Sequence, residues 1–277
     1  MFPIRSAEPP VHWRGQVNSR GGGRQCILFP VDSLRAIALQ DLDASETVQL
    51  FAEIVRNSGS LDQPVTAAFL NLRNYVAAMQ SDALVDAFCA IDYVFPDGIA
   101  MQLGRQLLRL RPFRRVSGTD TVPSMLRDVA PLGCRLFLLG GTPEHSAATA
   151  ARLPQLFPGV TLVGYHHGYF DASAEQQLIS RINASECDLL LVGMGTPLQE
   201  LWLQRNRALV RARLVICVGG LFHYWSRDLI RAPRALAHLG LEWLWIFVQQ
   251  PFRWPVYTIG AVRYLVRVLN IASTKSR

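Results

Sequence analysis

Short apolar runs alternate with longer amphipathic stretches along most of this chain. Val65–Leu70, Tyr93–Phe95, Arg135–Leu139, Val160–Gly164, Asp188–Val192 and Leu214–Val218 read as buried strands. Helical spacing of apolar positions marks Leu72–Gln80, Asp82–Ile91, Ile99–Leu110, Thr121–Val129 and Ser173–Asn183. Two more helices are expected to start at Gly140-Gly141-Thr142-Pro143, running to about Phe157, and at Gly193-Met194-Gly195-Thr196-Pro197. Asp43-Ala44-Ser45-Glu46 has the form of a capping box, with Val48, Phe51, Ile54 and Val55 on one face of the helix it opens. Short apolar strands that alternate with helices predict a Rossmann-like α/β fold, a mostly parallel sheet covered on both faces. The turns Pro96-Asp97-Gly98, Gly140-Gly141, Gly193–Pro197 and Gly219-Gly220 all follow predicted strands. Ligands of such sheets bind beyond the carboxyl ends of the strands, so these turns are expected to meet in one cleft.

Composition narrows this picture. Half of the 277 residues are apolar and 18% are charged, which excludes a disordered chain and allows a sizeable core. Residues 1–25 carry Pro3, Pro9, Pro10 and Gly21-Gly22-Gly23 without the apolar stretch of a signal peptide, and read as a disordered leader. Residues 26–230 are expected to form the α/β domain. Residues 231–277 are expected to form a basic, Trp-rich helical appendage. From Arg227 to Arg277 there are eight basic and two acidic residues, so this end carries +6 of the net +7. Trp243, Trp245 and Trp254 lie in the same stretch, and no run of 18 apolar residues occurs. Charge and tryptophan without spanning length point to a membrane surface, with a core helix followed by a solvated tail as the plainer reading. The five cysteines are odd in number and lack C-x-x-C spacing, which argues against a disulfide framework or a zinc site and for a reducing cytosol.

Asp97 ends a predicted strand at the ligand-facing edge, where a carboxylate can take a proton from a hydroxyl; an Asp-Gly turn is the plainer reading. Arg105, Arg109, Arg111, Arg114 and Arg115 lie between Asp97 and Asp120 with no acid among them. They suit a solvated face or a phosphate clamp, and Ser117-Gly118-Thr119-Asp120 can cap the helix that follows. Gly140, Gly141, Gly193 and Gly195 let backbone N–H groups approach an anion at helix starts. Position 198 is Leu, so Gly193-x-Gly195 lacks the third glycine of a dinucleotide fingerprint. Gln199 can reach a sugar or phosphate from the first turn of its helix, while Glu200 suits the same turn electrostatically. The histidines show no metal-ligand spacing, and His166 and His167 would point apart on a strand. Asp41-x-Asp43 matches a metal-holding acidic pair in form, but it precedes a helix outside the expected cleft. No metal and no cofactor are expected. No nucleic-acid reader motif is present either.

In order along the chain stand Asn71 in Phe69-Leu70-Asn71, Pro96-Asp97-Gly98-Ile99, Arg115-Val116-Ser117-Gly118-Thr119-Asp120 and Leu138-Leu139-Gly140-Gly141. Then come Val192-Gly193-Met194-Gly195-Thr196-Pro197-Leu198-Gln199-Glu200-x-Trp202, Val218-Gly219-Gly220-Leu221-Phe222, Arg231-Ala232-Pro233, Gly240-Leu241-Glu242-Trp243 and Pro251-x-Arg253. This series resembles the WecG/TagA/CpsF bacterial glycosyltransferases. The resemblance implies inverting, metal-independent transfer of a hexose or N-acetylhexosamine from a UDP-sugar to a polyprenyl-diphosphate-linked saccharide at the cytoplasmic face of the membrane. The products of such enzymes feed exopolysaccharide, common antigen or wall teichoic acid. A glucosyl donor for exopolysaccharide is favoured, with N-acetylmannosamine next. Asp97 would be the general base and Arg115 would meet the diphosphate. Asn71 and Gln199 would contact donor or acceptor, and the glycines Gly140, Gly141, Gly193, Gly195, Gly219 and Gly220 with Arg253 would complete the site. The family can assemble through its globular domains, so a homo-oligomer is allowed.

The chain departs from the family pattern at Phe69, where Thr is usual, at Ile246, where Arg is common, and at Trp254-Pro255-Val256, where further arginines are expected. These departures motivate the alternative of a non-catalytic UDP-sugar-binding subunit. A nicotinamide oxidoreductase is a third reading, disfavoured by Leu198.

Overall fold

The computed structural model describes residues 26–32, 35–57, 62–111, 113–233, 236, 242–250 and 254–275. The expected leader and Arg253 lie outside the described residues. Two strands, β1 (Cys26–Pro30) and β2 (Ala36–Gln40), form an antiparallel hairpin that pairs Cys26 with Gln40 and Pro30 with Ala36. The helix α1 (Ala44–Arg56) follows, opened by the anticipated capping box: Asp43 accepts from the Glu46 N–H at 2.8 Å, and Glu46 accepts from the Asp43 N–H at 2.7 Å.

The chain then alternates: β3 (Val65–Leu70), α2 (Leu72–Ala78), α3 (Asp82–Ala90), β4 (Tyr93–Pro96), α4 (Ile99–Leu107), α5 (Gly118–Val129), β5 (Arg135–Gly140) and α6 (Pro143–Leu156). It continues through β6 (Thr161–His166), α7 (Ala172–Ala184), β7 (Leu189–Gly193), α8 (Leu198–Asn206), β8 (Leu214–Cys217) and the short α9 (Leu221–Trp225). Three helices close the described chain: α10 (Glu242–Gln249), α11 (Trp254–Tyr257) and α12 (Ile259–Lys275). All six expected strands exist, within two residues of their expected bounds. They form one parallel sheet in the order β4-β3-β8-β7-β5-β6.

The strands are continuous apolar runs because both faces of the sheet are covered. Phe137 and Leu139 of β5, Leu190 and Val192 of β7, and Val215 and Cys217 of β8 face one core. Their neighbours Leu136, Leu138, Leu189, Leu191, Leu214 and Ile216 face the other. The first core is closed by the hairpin, α2, α3, α7, α8 and α12, and the second by α1, α5, α6 and α9. The hairpin and α9 were not anticipated. The hairpin's own apolar alternation, Ile27 and Phe29 opposite Ile37 and Leu39, was the available signal.

The last helix belongs to the first core. Tyr264, Val268 and Ile271 are buried, and the Tyr264 ring meets Tyr75 edge-on at 5.1 Å. Its hydroxyl donates to the Ala100 carbonyl at 2.6 Å, and Arg267 Nε donates to the Val31 carbonyl at 2.9 Å. Gly104 is what lets α4 lie this close, because a Cβ there would stand 1.8 Å from the Tyr264 hydroxyl oxygen.

At the amino end of the sheet a buried polar clamp joins distant segments. Asp92 Oδ2 accepts from the Thr66 N–H and the Thr66 hydroxyl, each at 2.9 Å, and is ion-paired with Arg207. Arg207 also donates to the carbonyls of Ala90 (2.8 Å) and Pro64 (3.1 Å). The two charges pair with each other, as burial requires, while Asp92 Oδ1 and Arg207 Nε are buried without a hydrogen-bond partner among the described residues.

Cys89, Cys134, Cys187 and Cys217 are free thiols. Burial pushes Cys89 and Cys187 up to about 11 and Cys134 to about 12, so they are packing residues and not nucleophiles.

Candidate active site

The carboxyl ends of the sheet open into a cavity of about 690 Å³. Of the residues expected to form the site, Asn71, Asp97, Arg115, Gly141, Gly193, Gly195, Gln199, Gly219 and Gly220 all line it. Gly140 stands one layer back. Its φ is +145°, and a Cβ there would come within 2.3 Å of the Gly193 carbonyl carbon, so it serves the close approach of β5 to β7.

Backbone hydrogen bonds set the first three residues side by side. The Asp97 N–H donates to the Leu70 carbonyl, and the Val116 N–H donates to the Pro96 carbonyl, both at 2.9 Å. The residue after β3 (Asn71), the residue after β4 (Asp97) and the one before Val116 (Arg115) are therefore adjacent at one edge of the cavity. Asn71 caps α2 through Oδ1, which accepts from the Asn74 N–H at 3.1 Å. Asp97 is half-buried and is the only carboxylate among the described lining residues, which also include Arg73, Arg115 and Arg231. Arg231 is tied to Asp120 at 2.7 Å, whereas Arg115 makes no ion pair with any described residue.

The arginine cluster that carries Arg115 is divided by the fold. Arg111 pairs with Asp41 at 3.1 Å and Arg114 pairs with Asp43, so both are spent on the segment that opens α1. A clamp built from the whole cluster is not formed. The pair Asp41-x-Asp43 is likewise outside the cavity, as its place before a helix suggested. Ser117 is the N-cap of α5 but makes no capping bond; its hydroxyl lies 2.8 Å from that of Thr119.

Gln199 and Glu200 form a buried brace beneath two glycine turns. Gln199 Oε1 accepts from the N–H groups of Gly195 (3.2 Å) and Gly219 (3.0 Å), and its Nε2 donates to Glu200 Oε1 at 2.7 Å. Glu200 Oε1 also accepts from the Thr196 hydroxyl at 2.9 Å. Glu200 stands in the first turn of α8, as expected, but it is not exposed there. Its side chain is fully buried, and burial raises its pKa above the usual carboxylate range. The helical turn brings Gln199 under the sheet ends, so its amide fastens β7 to β8.

One expectation about histidines does not hold. His166 and His167 do not diverge: β6 stops at His166, and the two rings lie 4.4 Å apart. His145 and His223 also meet, at 4.5 Å between rings, with Asp228 beside them. They are 78 and five residues apart in sequence, and no local pattern announces them.

Phe69 and Ile246 both line the cavity. The Phe69 ring lies against Gly118, where a Cβ would be 2.8 Å from Phe69 Cδ2. The aromatic ring thus occupies the cavity floor two residues before Asn71. The WecG/TagA/CpsF glycosyl transferase family model matches residues 33–277, nearly the whole chain. The chain belongs to this family. It is a glycosyltransferase, and its cavity lies at the carboxyl ends of the strands, where ligands of open α/β sheets generally bind. Arg253, expected at this transferase's site, falls outside the described residues.

Proposed function

We propose that this transferase moves a hexosyl group, with glucosyl favoured, from a UDP-sugar to a polyprenyl-diphosphate-linked saccharide in exopolysaccharide assembly. Asp97 removes the proton from the acceptor hydroxyl as that oxygen attacks the anomeric carbon from the face opposite the diphosphate. The new C–O bond forms as the bond to UDP breaks, so the configuration inverts. Arg115 answers the charge that grows on the departing diphosphate, a role in which preorganised donors are worth most. The observation that carries this reading is Asp97, the one carboxylate among the described lining residues, beside Arg115, which pairs with no described carboxylate, in a cavity lined by glycine turns, Arg73, Arg231 and apolar side chains. Asn71 orients the acceptor or donor hydroxyls. Gln199 acts by holding the Gly195 and Gly219 turns, and touches the substrate less than it positions the loops. This displacement asks for no metal beside Asp97.

The acceptor's lipid implies a membrane surface, and the C-terminal helices suit one. Among described residues no helix is long and apolar enough to span a membrane. Ile259, Val262, Val266 and Leu269 of α12 are exposed at helical spacing, with Arg263 also exposed. Leu244 and Val248 of α10 and Trp254 of α11 add exposed apolar surface. Burying such a stripe in an interface and leaving arginines at the headgroups is favourable. We therefore assign residues 231–277 to membrane docking at the inner face, even though part of α12 is built into the core.

The test is UDP release by purified protein offered a panel of UDP-sugars and a synthetic lipid-diphosphate monosaccharide, with and without EDTA. Acceptor-dependent release that survives EDTA is expected, with UDP-glucose the best donor. A thermal shift with UDP but no release from any donor would replace this reading with that of a binding subunit. Phe69 and Ile246 would then be the first positions to revert.

A further inference from the structure

We infer that His145, His223 and Asp228 form a binding site for a divalent transition metal at the rim of the cavity, apart from Asp97 and Arg115. Their ligand atoms all lie within 4.8 Å of one another. Asp228 Oδ2 stands 2.9 Å from His223 Nδ1 and 3.5 Å from His145 Nε2. In a tetrahedral site with bonds of about 2.0–2.1 Å, donor atoms are roughly 3.3 Å apart, so the two measured separations bracket that spacing. Two imidazoles and one carboxylate make the donor set of zinc-class ions, and three protein ligands leave a fourth position open.

Three elements are shaped to bring these groups together. His145 is the third residue of α6, whose start is fixed by Thr142 Oγ1 accepting from the His145 N–H at 3.2 Å. His223 lies in α9 and lines the cavity. Asp228 reaches His223 only because the chain reverses at Arg227, a non-glycine residue at φ +68°. The reversal is held by the Leu229 N–H, which donates to the His223 carbonyl at 2.9 Å. A side-chain-bearing residue in the left-handed region is uncommon, and such strain concentrates at ligand sites. Here the strained residue immediately precedes the carboxylate that completes the cluster. His145 Nδ1 is buried without a hydrogen-bond partner among the described residues, and the Nε2 of that ring faces Asp228.

Bound there, the ion would tie the start of α6 to α9 and the turn after it. The open coordination position, next to the cavity wall, would take water or an anionic oxygen. The site shares no residue with the Asp97 and Arg115 assignment, so either can fail without the other.

The experiment is titration of chelator-stripped full-length protein with Co(II), followed by its visible ligand-field bands, and with Zn(II), followed by thermal melting. One saturable equivalent with four-coordinate Co(II) bands is expected, together with a rise in melting midpoint on adding Zn(II). Asp228→Asn, which keeps the size of the side chain, and His223→Ala should weaken binding by at least about 100-fold. Both variants should melt cooperatively in chelator, which shows that they fold. A double variant His166→Ala/His167→Ala should bind like the parent. The proposal is overturned if the parent shows no saturable equivalent, if binding survives both cluster variants, or if it disappears with the His166 and His167 pair.

Discussion

The two ends of the parallel sheet handle charge in opposite ways. At the amino end Asp92 and Arg207 are buried together, and Thr66 and two backbone carbonyls take most of their remaining hydrogen-bonding capacity. At the carboxyl end Asp97 and Arg115 share a cavity wall, and Arg115 has no ion-pair partner among described residues. The first arrangement can only hold strands in register, since nothing can enter it. The second sets a carboxylate just after β4 and an arginine in the loop before α5 against a cavity that a ligand can enter. On the proposed reading, stability and chemistry are separated along one set of strands.

The sharpest way to break the contrast is to remove one group from each end. Asp97→Asn should lower turnover by about 10²–10⁴-fold while the melting temperature stays put. A variant that keeps full activity would remove Asp97 from the role of base. Arg207→Ala should do the reverse. Stranding Asp92 as a buried charge costs about 3–5 kcal/mol, and a chain of this size loses roughly 2–4 °C of melting temperature per kcal/mol. Circular dichroism melts would show it, and a variant as stable as the parent would demote the clamp. Arg115→Ala is expected to cost about 10²–10³-fold in kcat, with a melting curve like the parent's. Loss of stability in place of activity would make Arg115 a structural residue.

Smaller effects sharpen the boundary between the two ends. Gly104→Ala pushes α12 off α4, because the added methyl meets the Tyr264 hydroxyl. It should cost about 1–3 kcal/mol, read by denaturant titration, and weaken vesicle binding if the helix docks on membranes. Glu200→Gln should have the least effect at neutral pH, since the amide keeps the acceptor that Thr196 and Gln199 use. Burial raises the Glu200 pKa, so the folded protein keeps a proton that the unfolded chain releases near 4.5. In that window the folded state binds more protons, and stability falls as pH rises from about 4.5 toward the raised value. The variant should flatten this slope, and an unchanged slope in pH-dependent melts would mean that Glu200 ionises freely.

Much of the architecture was legible because its signals are local. Strands such as Leu136–Leu139 must be apolar at every position when both sheet faces are covered, and they announce themselves as short continuous runs. Asp43 and Glu46 cap α1 from three residues apart. The turns after β3, β4, β7 and β8 gather at one cavity because parallel strands must present their carboxyl ends together. These features depend on residues a few positions apart and on a general rule of α/β sheets, so sequence alone determined the fold class, the strands and which turns meet at one cavity.

Only the tertiary structure decided which polar groups are used up and which are left open. Arg111, Arg114 and Arg115 look alike in sequence, yet two of them end on Asp41 and Asp43 and one faces the cavity. Glu200 looks like a helix-start carboxylate and is fully buried under Gln199. His145, His223 and Asp228 come from separate segments and meet because α6 and α9 pack together on one face of the sheet. The energy of a charge depends on the partners and the water around it, and both are set by contacts between residues far apart in the chain. Sequence pattern specifies which backbone elements form, whereas the chemistry of each ionisable group waits on packing.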